Sequence, residues 1–181
     1  MNELEKPPPD ELRTAWAKWF FNLWTYVKDI STSLLAFINT FTSTNTWTPT
    51  GSWVSGATYT GNYERFRNIG HFSVYIAVTG APTATQLIID MPAGLTIDAA
   101  KLLSTDAGML FKGVVTLKDT STAFWYSGGV SYASTTTVEI DVFTVPTLSL
   151  RLSGVTNLVP FTFANTDWIK IEFEAPILEW A

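Results

Sequence analysis

Phe72-Ser-Val-Tyr-Ile-Ala-Val-Thr79 alternates without a break: Phe72, Val74, Ile76 and Val78 fall on one side of an extended chain, and Ser73, Tyr75, Ala77 and Thr79 on the other. A period of two over this length is the pattern of a half-buried β-strand. The same pattern returns where Val138, Ile140 and Val142 oppose Glu139 and Asp141, and where Ile169, Ile171, Phe173 and Ala175 oppose Trp168, Lys170, Glu172 and Glu174. Further strands are expected at Leu87–Met91, Leu110–Lys118, Phe124–Tyr132 and Leu148–Leu152. Between them lie the turn signals Gly80-Ala-Pro82, Pro92-Ala-Gly94, Asp119-Thr-Ser-Thr122 and Gly154-Val-Thr-Asn157. So many short runs, with no convincing helix among them, predict an antiparallel β-sandwich or jelly-roll head over residues 47–181.

Upstream the period changes. Pro7, Pro8 and Pro9 form a stiff extended arm, residues 1–9, and Asp10 is placed to cap a first helical turn. No Gly or Pro interrupts Leu12 to Asn39, and apolar residues recur at Trp16, Phe20, Leu23, Val27, Ile30, Leu34, Phe37 and Phe41 in steps of four and three. That spacing predicts a helix over 10–41, roughly 45 Å long at 1.5 Å per residue, with a coiled-coil or docking seam. Trp19 and Trp24 broaden the stripe at its N-terminal half. Self-association or docking onto another protein is the leading expectation for Trp16, Trp19, Phe20, Leu23, Trp24, Val27, Ile30, Leu34 and Phe37; the competing one lays the helix across its own β-domain. The polar, β-branched stretch 42–46 reads as a linker.

Composition removes several function classes. Hydrophobic residues make up 46% of the 181, enough for a true core, so the chain is not a disordered tail. With 11 Lys plus Arg against 16 Asp plus Glu, a net charge of -5 disfavours a protein that wraps nucleic acid. Cysteine is absent, which excludes disulfides, thiolate nucleophiles and sulfur-ligated metals. The acidic, proline-rich start is unlike a signal peptide, and the apolar stretch Trp19 to Val27 is far short of the ~20 residues that span a bilayer.

No catalytic, cofactor or metal constellation is expected. His71 is the one histidine in the chain and reads as a solvated strand-end residue on the Tyr75 face. Asp90, Asp98 and Asp106 are loosely spaced acids whose places near turns predict turn and cap chemistry in preference to a glycosidase pair or a calcium site. Gly51, Gly56 and Gly61 lack the Lys-Ser/Thr ending of a phosphate loop. Flat rings able to stack on sugar faces are Trp53, Trp125, Tyr126 and Trp168, the candidate glycan contacts.

Several stretches carry a resemblance. Thr46-Trp-Thr-Pro-Thr50, Tyr63-Glu-Arg-Phe-Arg-Asn-Ile-Gly70 and the strand after it resemble the opening hairpin of the β-heads of small bacteriophage fibre and head proteins. Met91-Pro-Ala-Gly-Leu-Thr-Ile-Asp98 is similar to their Leu-Pro-x-Gly turn, and Asn157-Leu-Val-Pro-Phe-Thr-Phe-Ala-Asn-Thr-Asp-Trp168 to their Pro-Phe-Thr-Trp-Ala ending. The opening Pro7-Pro-Pro-Asp10 and Arg13-Thr-Ala-Trp16 resembles short phage proteins that attach to a virion by an N-terminal helix. One departure is that Arg67-Asn68-Ile69-Gly70 replaces the Gly-Asn of the hairpin, so a longer, bulged turn is expected. The resemblance implies a non-enzymatic, trimeric fibre or spike in the virion, assembled in the host cytoplasm. Its implied partners are further copies of itself, a capsid, portal, adaptor or tail component, and a host surface glycan. The alternatives in view are a capsid decoration or head–tail connector protein, and a carbohydrate-binding module.

Overall fold

A computed structural model describes residues 10–42, 44–105, 110–144 and 151–181; at helix positions 10–13, 15 and 35–42 the backbone alone is described. The arm 1–9, the Phe37 side chain and Asp106 lie outside the described residues. The chain divides into two units, Met1–Thr40 and Phe41–Ala181.

The N-terminal helix α1 runs from Asp10 to Thr42, 33 residues without a glycine or proline to break it. Hydroxyl groups that would otherwise compete with the helix are turned onto its own backbone: Thr25 Oγ1 donates to the Phe21 carbonyl and Thr32 Oγ1 to that of Lys28, both at 2.9 Å. Along the described part of the stripe every apolar side chain is exposed.

The second unit is mainly β. Its strands are β1 Thr44–Trp47, β2 Ala57–Phe66, β3 Ile69–Val78, β4 Ile88–Asp90, β5 Lys112–Asp119, β6 Phe124–Ser134, β7 Thr137–Thr144, β8 Arg151–Gly154 and β9 Trp168–Pro176. Among the described residues they hydrogen-bond in the order β1-β2-β3-β9-β5-β6-β7-β4, with β8 also on β7. All pairs are antiparallel. The C-terminal strand β9 thus inserts between β3 and β5. Beyond the named strands, the Ser52 N–H donates to the Ile88 carbonyl at 3.0 Å and the Asp90 N–H to that of Thr50 at 2.9 Å, linking the chain after β1 to β4. Gly51 sits at this crossing because a Cβ there would run into the Ile88 carbonyl.

One buried cluster takes the inward side chains of strands from both ends of this order, including Phe72 and Ile76 of β3, Ile169 and Ile171 of β9, and Val138 and Ile140 of β7. The alternations of β3, β7 and β9 therefore point inward as their sequence requires. Asp141 is the exception, since it lies on the outward face of β7 and is still only 5% exposed. Its cross-strand neighbour is Gly129, whose missing side chain leaves the space occupied by the Leu110 side chain. Leu110 bridges to Ser131 and bulges away from the regular β5–β6 ladder, covering this patch of the outer surface.

Two expectations, the linker over 42–46 and the bulged turn after Phe66, are corrected. Part of the stretch read as a linker is strand β1, which pairs with β2 from Thr44 opposite Glu64 to Trp47 opposite Gly61. The Thr/Tyr-rich run around Gly56 and Gly61 contains the ten-residue β2; its outward Thr58, Thr60 and Asn62 and inward Gly61 hide the apolar alternation that marks other strands. The β2–β3 turn is tight and unbulged, with Phe66 directly opposite Ile69. Only Arg67 and Asn68 lie between, and Arg67 takes a positive φ of 59° in the place where hairpins usually carry glycine. Of the Leu148–Leu152 run, 148–150 lies outside the described residues and 151–152 opens β8.

The turn supplies a test. An L-residue with positive φ costs on the order of 1 kcal/mol, and a β-branched one costs more. Arg67→Val is therefore expected to lower unfolding free energy by roughly 1–2 kcal/mol in urea melts, whereas Arg67→Gly leaves it unchanged or raises it.

Candidate functional site

Antiparallel register converts the outward parities of five strands into a surface grid. Trp168 lies between Ala77 of β3 and Lys118 of β5, and Lys118 lies opposite Trp125 of β6. In the next row Thr60, Tyr75, Lys170 and Thr116 are successive neighbours on β2, β3, β9 and β5. The following rows bring Asn62, Ser73, Glu172 and Val114 together, then Glu64, His71, Glu174 and Lys112.

At one end of this face the rings touch. Trp125 and Trp168 meet edge to face with centroids 5.2 Å apart, and Tyr75 lies 6.0 Å from Trp168 at a tilt. The Lys118 ammonium stands 5.2 Å above the Trp125 ring. Trp125 is 59% exposed and Tyr75 43%, so this is a shelf open to solvent. At the other end the charges pair: Lys170 with Glu172 at 2.8 Å, Lys112 with Glu174 at 2.7 Å, and His71 Nδ1 with the same Glu174 oxygen at 3.5 Å. Exposed pairs of this kind contribute about 0–1 kcal/mol each. The short side chain of Ser73 lies between two adjoining depressions of about 290 Å³ each, one walled by Thr60, Asn62, Tyr75 and Lys170, the other by His71, Lys112, Glu172 and Glu174.

Two of the four candidate glycan residues, Trp125 and Trp168, sit on the shelf. The other two are corrected. Trp53 has no exposed surface; its ring packs on Phe163 at 5.1 Å and its indole N–H donates to the Thr85 carbonyl at 2.9 Å. Its own carbonyl accepts from the Tyr59 hydroxyl at 3.1 Å, and burial pushes the Tyr59 pKa up to about 12. Tyr126 follows Trp125 on β6 and so faces inward, against Phe161 at 5.1 Å. Sequence reading missed Tyr75, Lys118 and Lys170 as companions of the two tryptophans. Their outward parity was readable, but their adjacency depends on register between distant strands.

The helix is a second candidate surface. Trp16, Trp19, Phe20, Leu23, Trp24, Val27, Ile30 and Leu34 are all between 42% and 69% exposed. Trp16, Trp19 and Phe20 touch one another with centroids 5.0 to 6.0 Å apart. Phe21 at 69% and Tyr26 at 63% lie off the seam and enlarge the apolar surface around its N-terminal half. Among the described residues no helix is long and apolar enough to cross a membrane.

The remaining polar candidates serve local structure. Asp90 accepts from Thr50 Oγ1 at 2.6 Å, and Asp98 pairs with Lys101 at 3.0 Å. Among the described residues no group of three or more His, Asp or Glu could hold a metal ion. Asp119 accepts from the hydroxyl groups of Ser121 and Thr122, both at 2.7 Å, which hold its carboxyl below the usual range. Hydrogen bonds from Thr96 do the same for Glu179. Burial raises the Asp141 carboxyl despite a 2.6 Å hydrogen bond from Ser131, and burial followed by repulsion from Asp141 raises that of Glu139.

These directions fix the pH dependence. Glu139 and Asp141 have folded pKa values above their unfolded ones, so their cost is present at neutral pH and disappears as pH falls through the folded values. Asp119 and Glu179 contribute stability above their unfolded pKa values and lose it as pH falls through the lower folded ones. Thermal melts are expected to show stability rising as pH falls from neutral through the raised folded values of Glu139 and Asp141, and falling below the ordinary carboxylate range as Asp119 and Glu179 protonate. Asp141→Asn, which keeps an acceptor for Ser131, should raise the neutral-pH melting temperature and shrink that rise; an unchanged profile would remove the assigned cause.

No protein-family model, no curated protein and no solved structure matches the chain.

Proposed function

We propose that the chain is a non-enzymatic bacteriophage virion protein, a homotrimeric fibre or spike that α1 fixes to the particle and whose β-unit faces outward for attachment to the host surface. The observation that carries this reading is the exposed apolar stripe of α1. Removing a large apolar side chain from water is worth roughly 1.5–3 kcal/mol, so the six described seam residues and the flanking Trp19 and Trp24, left about half exposed, withhold on the order of 5–10 kcal/mol per helix. Partner helices recover that energy, and the recurring steps of four and three set those helices side by side along one seam. β-Branched Val27 and Ile30 at consecutive seam positions permit three strands without demanding them, and a threefold bundle imposes the same symmetry on the β-units joined to it.

Within the β-unit the proposed architecture is a sandwich of jelly-roll type. Supporting it, strands distant in the pairing order share one core, and the hydrogen bonds of Thr50 and Ser52 link the chain after β1 to β4. The virion context rests on the resemblance of the proline-rich opening, the hairpin and the Pro160-Phe-Thr-Phe163 ending to phage fibre proteins. Binding and assembly carry this function, and no catalytic step belongs to it.

Particle incorporation tests the seam. Leu23→Asp and Ile30→Asp each place a charge in it and are expected to give folded, soluble chains that no longer join the particle. Normal incorporation of both would reject the helix as the anchor. Particles lacking the protein are expected to keep intact heads and lose adsorption to cells; fragile or leaking heads with normal adsorption would make it a capsid decoration protein instead.

A further inference from the structure

The outer face of β2, β3, β9, β5 and β6 combines three features that a solvated sheet does not require. One is the run of touching rings from Tyr75 through Trp168 to Trp125. A second is the set of polar groups beside it whose hydrogen bonds are uncommitted: the side chains of Asn62, Ser73 and Tyr75 make none to protein among the described residues, and Thr60 reaches only a 3.5 Å contact with the Tyr75 carbonyl. The third is charge balance, since Lys112, Lys118 and Lys170 are matched by Glu64, Glu172 and Glu174 in a chain whose net charge is -5.

Each feature narrows the occupant. Flat exposed rings take ligands with broad C–H faces, and the hydroxyl, amide and ammonium groups next to them take ligands dense in hydroxyl groups. A balanced field gives no advantage to a polyanion such as nucleic acid or an acidic polysaccharide. A polar trough is likewise a poor seat for the apolar core of a protein interface. From Trp125 on β6 to Tyr75 on β3 is three strand spacings, about 14 Å, the reach of a short oligosaccharide.

We propose that this face binds an uncharged oligosaccharide, its rings stacked along Tyr75, Trp168 and Trp125 and its hydroxyl groups held by Thr60, Asn62, Ser73 and Lys170. Glu172, paired with Lys170, sets an acceptor beside a donor, the arrangement that two neighbouring hydroxyl groups satisfy together. The proposal names the ligand class for the host contact put forward above and rests on that reading for its biological setting. The site itself needs only this chain.

The test is titration of the full-length protein with linear tetrasaccharides of glucose, mannose, galactose and N-acetylglucosamine, and with tetragalacturonate as the charged counterpart, monitored by tryptophan fluorescence and calorimetry. At least one neutral tetrasaccharide is expected to bind with a Kd on the order of 0.1–1 mM, the range of a shallow site with few hydrogen bonds. Trp125→Ala and Asn62→Ala, both exposed substitutions with melting temperatures checked, are expected to weaken it tenfold or more. Phe66→Ser, an exposed ring on the β2–β3 turn, should leave it unchanged. The site is overturned if no neutral probe binds, if tetragalacturonate binds more tightly than all of them, or if Trp125→Ala and Asn62→Ala bind as well as the unaltered chain. A change of solution mass in Trp125→Ala would also overturn it, by placing a second copy on this face. A chain that binds a tetrasaccharide yet is absent from particles keeps the site and loses the virion reading; a particle-bound chain that binds none loses the site alone.

Discussion

Water against the apolar stripe of α1 is the constraint on which the rest of the molecule depends. A helix of this length gains from each backbone hydrogen bond it closes, but its side chains from Trp16 to Leu34 gain nothing while they stay half exposed. The two ends of the stripe differ in character. Toward Ile30 and Leu34 it is a narrow aliphatic seam of the kind that copies of one helix bury in each other. Between Trp16 and Tyr26 it spreads into indole, phenyl and phenol rings, including Phe21 and Trp24 at 69% exposure, more surface than a seam alone would cover. The proposed assembly uses both properties, with copies joined along the seam and rings left for the particle.

The β-unit solves the opposite problem. Its buried cluster draws on strands throughout Phe41–Ala181, and the C-terminal strand β9 pairs on both sides, with β3 and β5. That insertion makes the unit dependent on its last strand, and it also builds the outer grid, because Trp168 and Lys170 are the bridge between Tyr75 on one side and Lys118 on the other. Core and surface are thus two faces of the same pairing. The inward parity of β9 closes the hydrophobic cluster while its outward parity joins the aromatic shelf to the charged trough.

How far the residues disclose the molecule depends on how local each signal is. The helix α1 and the inward faces of β3, β7 and β9 depend on spacing within one segment, and they were legible. Strand β2 was not, because Thr58, Thr60 and Asn62 are outward and Gly61 is inward, so neither face announces itself as apolar. Trp53 and Trp125 are the same residue type in similar surroundings, and partners remote in sequence, the Phe163 ring and the Thr85 carbonyl among them, hold the first inside. Tyr126 was separable from Trp125 by parity alone, as adjacent residues on a strand face opposite ways. The company kept by Trp168 depends on three registers between strands that no local pattern specifies. The covering of Asp141 depends on the bulge at Leu110 and the bare backbone of Gly129, again a meeting of distant segments.

Assembly through α1 is the claim on which the functional reading stands, and the mass of the full-length chain in solution addresses it most directly. Light scattering across a range of concentrations is predicted to give three times the mass of one chain, independent of dilution over the micromolar range. A mass of one chain at every concentration would contradict the account.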